Sequence, residues 1–122
     1  MQQSNRDVTD GLLSVSSVRY GDEVVIVSLA GELDRAVVST AVTAIEDAFA
    51  AGTRRLVLDL QELEFLDSSG VALLRRVAAG YAPACDVLVI PSDLPGVSRV
   101  LAVTGVDSLL RFATEPHSVA AA

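Results

Sequence analysis

The spacing of hydrophobic and polar positions changes character several times along the chain. Leu13, Val15 and Val18 begin an extended segment with imperfect alternation. Tyr20-Gly21-Asp22-Glu23 reads as a turn in which Gly21 supplies backbone freedom. Val24 to Leu29 is rich in β-branched residues and predicts a strand, so the two segments together predict a hairpin. Gly31-Glu32-Leu33-Asp34 interrupts that strand. Val37, Val38, Ala41, Val42, Ile45, Ala48 and Phe49 then recur at helical spacing and form one apolar stripe, with Gly52 as a C-cap. Leu56-Val57-Leu58-Asp59-Leu60 is a short apolar strand. Strand, helix and strand in this order predict a right-handed parallel crossover.

In the second half, Glu64-Phe65-Leu66 leads into Asp67-Ser68-Ser69-Gly70. A second helix follows, with Val71, Leu74, Val77, Ala78 and Tyr81 on one face and with Gly80 and Pro83 limiting its end. Asp86 to Ile90 is the next strand, stopped by Pro91. Leu94 to Thr104 predicts a third helix, with Val97, Val100 and Leu101 inward and Gly105 as terminator. Leu109 to Ala113 is expected as a last strand, and Thr114 to Ala122 as a weak Ala-rich helix. Residues 1–10 are polar and are expected to be a flexible leader, leaving residues 11–122 as one domain. The order β-β-α-β-α-β-α-β predicts an α/β domain with a mixed sheet.

Composition narrows the function. The chain has 122 residues, 51% of them hydrophobic, enough for one domain with a core independent of disulfides. Aromatics are only 4%, so Val, Leu, Ile and Ala must fill that core. The 9 basic and 16 acidic residues leave a net charge of −7, which disfavours direct binding to DNA or RNA. The N-terminal residues contain no hydrophobic signal core, and no apolar run has the length of a membrane span, so a cytoplasmic protein with no membrane partner is expected. Cys85 is the single cysteine and has no acidic residue or histidine at a ligand spacing, so neither a disulfide nor a metal site is expected.

Catalytic chemistry finds little support. His117, the only histidine, lies in the tail and would have to fold over the second helix to reach a serine. Ser68 and Ser69 lack the preceding glycine of a nucleophile elbow. No glycine-rich phosphate loop followed by lysine is present, and Glu62 and Glu64 read as solvated loop carboxylates. No catalytic residue and no cofactor are therefore expected. Asp67-Ser68-Ser69-Gly70 fits a helix N-cap, because Asp and Ser oxygens accept otherwise unpaired backbone N–H groups. The same place suits an exposed phospho-acceptor. A phosphate there adds about −1.5 to −2 charges at neutral pH, meeting favourable helix N–H groups and repulsion from Asp67.

Three motifs carry a resemblance that covers nearly the whole chain. Leu29-Ala30-Gly31-Glu32-Leu33-Asp34 is the first. The second is Leu58-Asp59-Leu60, Leu63 and Phe65 followed by Asp67-Ser68-Ser69-Gly70. The third is Pro95-Gly96-Val97, Arg99-Val100-Leu101 and Thr104-Gly105-Val106. In this order and spacing they resemble the STAS-domain anti-sigma factor antagonists. The resemblance implies a STAS-like α/β fold, a small mixed four- to five-stranded sheet with helices mainly on one side. It implies partner switching with an anti-sigma factor that is also a serine kinase. The unphosphorylated antagonist binds that kinase and frees a sigma factor, phosphorylation separates the pair, and a serine phosphatase resets it. The phosphorylated residue carries over to Ser68, and Asp34, Asp67, Ser69, Gly70 and Arg75 are the expected partner-binding positions. Asp34 also fits a helix-entry cap, and Arg75 and Arg76 also fit a solvated outer helix face. Val71-Ala72 stands where the family often has Leu-Gly, which leaves the serine and its acidic neighbour unchanged.

Other functions are open to the same sequence. A non-switching STAS interaction subunit, for example of a lipid-transport machine, shares the fold but has no need of Ser68 as an acceptor. A nucleotide sensor needs a phosphate cradle that the sequence lacks. A hydrolase needs His117.

Overall fold

One change of partner along a long strand organises the molecule, a computed structural model that describes residues 3–50, 52–80 and 85–114. Strand β1 (Gln3–Asp10) pairs antiparallel with β2 (Leu13–Tyr20), which pairs antiparallel with β3 (Val24–Leu33) across the turn at Gly21. Helix α1 (Val38–Ala50) then crosses to β4 (Arg55–Asp59), which lies parallel to the first half of β3. After a short jog, β5 (Leu63–Leu66) lies parallel to the second half of β3. Helix α2 (Ser68–Ala79), strand β6 (Asp86–Ile90, parallel to β4) and helix α3 (Pro95–Thr104) complete the regular elements. The sheet order is β1-β2-β3-β4-β6, with β5 beside β3.

The β-branched run of β3 is apolar on both faces, as a central strand requires. Val25, Val27 and Leu29 point toward the helices, together with Leu56, Leu58 and Leu60. Ile26, Val57 and Ile90 form a small second cluster on the opposite face with Tyr20, Val24 and Ala113, to which no helix contributes. The three described helices therefore turn their stripes to one side of the sheet. Val37, Ala41, Ile45 and Ala48 come from the first crossover, Leu73, Leu74 and Val77 from α2, and Val97 and Leu101 from α3. The STAS-like mixed sheet with helices on one side is thus the observed fold.

Among the described residues the sheet has six strands rather than four to five. One addition is the expected leader, residues 1–10. Its polar sequence hides a strand because backbone pairing holds it, from Gln3 opposite Tyr20 to Asp10 opposite Leu13. Arg6 also pairs with Asp47, and the Thr40 hydroxyl donates to Asp10 at 2.7 Å. The other addition is β5, which buries Leu63 and Leu66 and leaves Glu64 and Phe65 outside. The strand expected over Leu109–Ala113 is reduced to one parallel bridge between Val89 and Phe112. The chain leaves Gly105 as a 3₁₀ turn, Val106–Leu109, before it regains an extended path. Tyr81, Pro83, His117 and all but the first residue of the expected tail helix lie outside the described residues. No helix among the described residues is long and apolar enough to cross a membrane.

Candidate functional site

Both candidate loops follow strands that end together. β3 ends at Leu33 and β5 at Leu66, and these two residues face each other in the parallel register. Gly31 makes the approach possible. It has φ +95° at a register shift, and a Cβ there would stand 2.0 Å from the Leu12 carbonyl oxygen. Its own N–H donates to the Glu62 carbonyl, while the next N–H, of Glu32, donates to Leu12, each at 3.0 Å. β3 leaves β4 after Ser28 and takes up β5 from Gly31.

The loops are then clasped by Asp67. Its N–H donates to the Leu33 carbonyl at 3.2 Å, and its Oδ2 accepts the Arg35 N–H at 3.1 Å. Its Oδ1 accepts Ser69 N–H at 2.8 Å and Gly70 N–H at 3.3 Å, which caps α2. Burial acts to raise the Asp67 pKa. The N–H groups of Arg35, Gly70 and Ser69 and the Arg35 positive charge outweigh it, so the carboxyl lies below its ordinary value. The group is a fixed anion between two helix starts.

Ser68 is the first residue of α2, and its side chain is exposed. Ser69 beside it is half-buried. Gly70 is buried against β3 and β5, and a Cβ there would meet Leu66 Cβ at 2.9 Å and Leu33 Cδ2 at 3.1 Å. Glycine is thus needed here for closeness. Asp34 lies across the clasp, half-buried, with Oδ1 accepting the Ala36 N–H at 3.0 Å and its carbonyl accepting Val38 N–H at 2.9 Å. It caps the entry to α1 and shares one end of the domain with Ser68. Arg75 stands apart on the exposed face of α2, one to two turns on, and donates to the Thr104 carbonyl at the end of α3 (3.3 Å). Arg76 pairs with Glu46 of α1 at 3.9 Å.

Two further features of this end escape sequence reasoning. Arg35 enters through its backbone N–H, which no side-chain pattern reveals. Leu12 and Phe65, 71% and 48% exposed, lie on either side of Glu32, whose N–H meets Leu12 and whose register partner is Phe65. The signal for Leu12 was available, since it is out of phase with the buried Leu13 and Val15.

Elsewhere, Cys85 is half-buried, and its thiol pKa is raised chiefly by burial, which suits an inert packing role. Among the described residues no group of three or more His, Cys, Asp or Glu side chains is placed to hold a metal ion.

Solved structures of similar shape share the fold. An anti-sigma factor antagonist from Mycobacterium paratuberculosis superposes with a TM-score of 0.74 at 23% identity, over 98% of this chain and 96% of that one, a likeness of fold. The anti-sigma factor antagonist SpoIIAA in its unphosphorylated form matches with 0.69 at 28% identity, over 86% and 92% of the two chains. The Bacillus cell fate determinant SpoIIAA in the phosphorylated form matches with 0.62 at 26%, over 86% and 96%. No curated protein matches significantly in sequence. Residues 16–111 match the family described as "Mlab, STAS domain". That span runs from β2 past α3 and includes both clasped loops, and the chain belongs to the STAS domain family.

Proposed function

We propose that this STAS protein is an anti-sigma factor antagonist controlled by phosphorylation of Ser68. In its unphosphorylated form it binds a cytoplasmic anti-sigma factor that is also a serine kinase, and so releases a sigma factor. Transfer of phosphate from ATP to the Ser68 hydroxyl ends the complex, and a serine phosphatase restores the free hydroxyl. The chain itself carries no catalytic role. The observation that carries this reading is the exposed Ser68 at the first position of α2, beside the fixed Asp67 carboxylate. Similarity to an antagonist solved in unphosphorylated and phosphorylated forms adds support.

The physical argument runs through charge and contact. Asp34, Asp67 and Ser69 lie at the same end of the domain as the hydroxyl, and the buried Gly70 seats the helix start beneath them, so a partner reads a preformed surface. A phosphate adds about two negative charges next to Asp67. The helix N-terminus offsets part of that repulsion, so the fold persists and docking is what fails. Arg75, tied to α3, extends the surface along α2.

The test is incubation with the cognate kinase and ATP, read by intact mass and peptide mapping. Ser68→Ala is expected to fold, to bind the anti-sigma factor and to take no phosphate. Ser68→Asp is expected to bind weakly. Ser69→Ala is expected to remain a substrate. Phosphate on Ser69 alone moves the role to that residue. No phosphate with an active kinase defeats the switch.

The matching family bears the name Mlab rather than that of the antagonists. That favours, as a second reading, a non-switching STAS interaction subunit such as one in a lipid-transport machine. Stable capture of the chain with a membrane transporter, unaffected by Ser68→Asp, selects it.

A further inference from the structure

The two edges of the sheet are finished differently. At β6 the residues after the 3₁₀ turn cover the edge, with Val89 N–H donating to Arg111 at 2.8 Å and Ala113 N–H donating to Val89 at 2.9 Å. At β1 no described residue pairs with the outer side of the strand. β1 is eight residues long and contains no proline, and no register shift marks its pairing with β2. An open, regular edge of this length is a template for another strand. From it we infer that β1 pairs antiparallel with β1 of a second copy of this chain, about a two-fold axis at Val8.

The choice of occupant and register follows from the side chains. Arg6, Val8 and Asp10 share the helix side of β1, since Arg6 reaches Asp47, Val8 lines a groove with Ala44, and Asp10 accepts from Thr40. In a continuous sheet with its two-fold axis perpendicular to it, residues on the same face must stand opposite one another. Centring the axis on Arg6 or on Asp7 sets like charges face to face, which is unfavourable. Centring it on Val8 sets the two Val8 side chains together and each Arg6 opposite Asp10 of the other copy. Asp7 then meets Thr9. This register turns the charges of the strand into two reciprocal ion pairs around an apolar centre, so the edge is complementary to itself. Val8 is 44% exposed in the single chain, and a groove of about 220 Å³ runs beside it between β1, β2 and α1. The pairing joins that groove to its copy across the axis and covers Val8. The contact is small, so the dimer is expected to form in a concentration-dependent way. It is independent of the phospho-switch, which uses the loops after β3 and β5.

Sedimentation velocity of the full chain from micromolar to millimolar concentration is expected to show a shift from monomer to dimer. Val8→Arg places like charges at the axis and is expected to abolish that shift while the circular dichroism spectrum is retained. In a Cys85→Ser background, Val8→Cys with oxidised glutathione is expected to give a disulfide-linked dimer. Paired antiparallel positions lie about 4.5–5.5 Å apart in Cα distance, within disulfide range. Asp7→Cys, displaced from its own copy in this register, is expected to crosslink more slowly. A monomer at every concentration overturns the inference. So does faster crosslinking of Asp7→Cys than of Val8→Cys. Dimerisation that appears only after removal of residues 115–122 also overturns it, by showing that the tail occupies the edge.

Discussion

Removing the Asp67 carboxylate tests whether the clasp holds the two loops. Asp67→Ala deletes the acceptor for three backbone N–H groups, those of Ser69, Gly70 and Arg35 at 2.8, 3.3 and 3.1 Å. Loss of a helix N-cap costs about 0.5–2 kcal/mol. The bond from Arg35 adds to that, discounted because the carboxyl is only half-buried and water replaces part of what is lost. The sum is about 2 kcal/mol, which lowers the melting temperature of a domain of this size by roughly 6–10 °C. The effect has a pH signature. The folded-state pKa lies below the ordinary carboxylate value because the N–H groups and the Arg35 charge outweigh the opposing effect of burial. The stabilisation by the charged form is therefore complete above the unfolded-chain pKa, about 3.9, and is lost as pH falls through the lower folded value. The gap between parent and Asp67→Ala is expected to be full at neutral pH and to narrow in strong acid. Asp67→Asn keeps one acceptor oxygen and is expected to fall between them. Thermal melts followed by circular dichroism across pH provide the assay. A gap that stays constant from neutral pH to well below the carboxylate range would refute the charged clasp.

Other perturbations separate geometry from chemistry. Gly31→Val drives a side chain into the Leu12 carbonyl at a positive φ and is expected to cost at least about 3 kcal/mol, read as a large loss of melting temperature or failure to fold. Gly70→Ala forces a methyl against Leu66 and Leu33 and is expected to cost about 1–3 kcal/mol in chemical denaturation, with anti-sigma factor binding weakened because Ser68 and Ser69 move with the helix. Ser68→Ala is expected to change stability by less than about 0.5 kcal/mol, since only an exposed hydroxyl is lost. A larger change would mean that the hydroxyl has a structural partner.

Much of this architecture was legible because the buried elements have strong periods. The β2–β3 hairpin, α1, β4, α2, β6 and α3 follow from β-branched runs, helical stripes and Gly stops at Gly21, Gly52, Gly80 and Gly105. What escaped was held by other means. β1 carries a single apolar residue, Val8, in a polar string, and backbone pairing with β2 rather than alternation makes it a strand. β5 is four residues long, and Leu63 and Leu66 at an interval of three fit a helix as well as a strand. The bulge opposite Gly31 and Glu32, where Glu64 is the extra residue of β5, lets both bury. At the site, the family resemblance grouped Asp34 with Ser68, and Asp67 was readable as a cap. That the same carboxylate also ties the first loop through Arg35 depends on a backbone contact between residues 32 positions apart. Local sequence has no signal for it.

The shared pairing of β3 has a consequence for how the chain folds. Its contact with β2 closes across a turn of three residues, Gly21 to Glu23, whereas β4 and β5 reach it only after the α1 crossover. Short loop closures cost less entropy than long ones and come earlier along the path. Substitutions that weaken the β2–β3 hairpin should therefore slow folding, while those at the β3–β5 junction should chiefly speed unfolding. The loops after β3 and β5, which bear Asp34 and Ser68, are then expected to assemble after the hairpin.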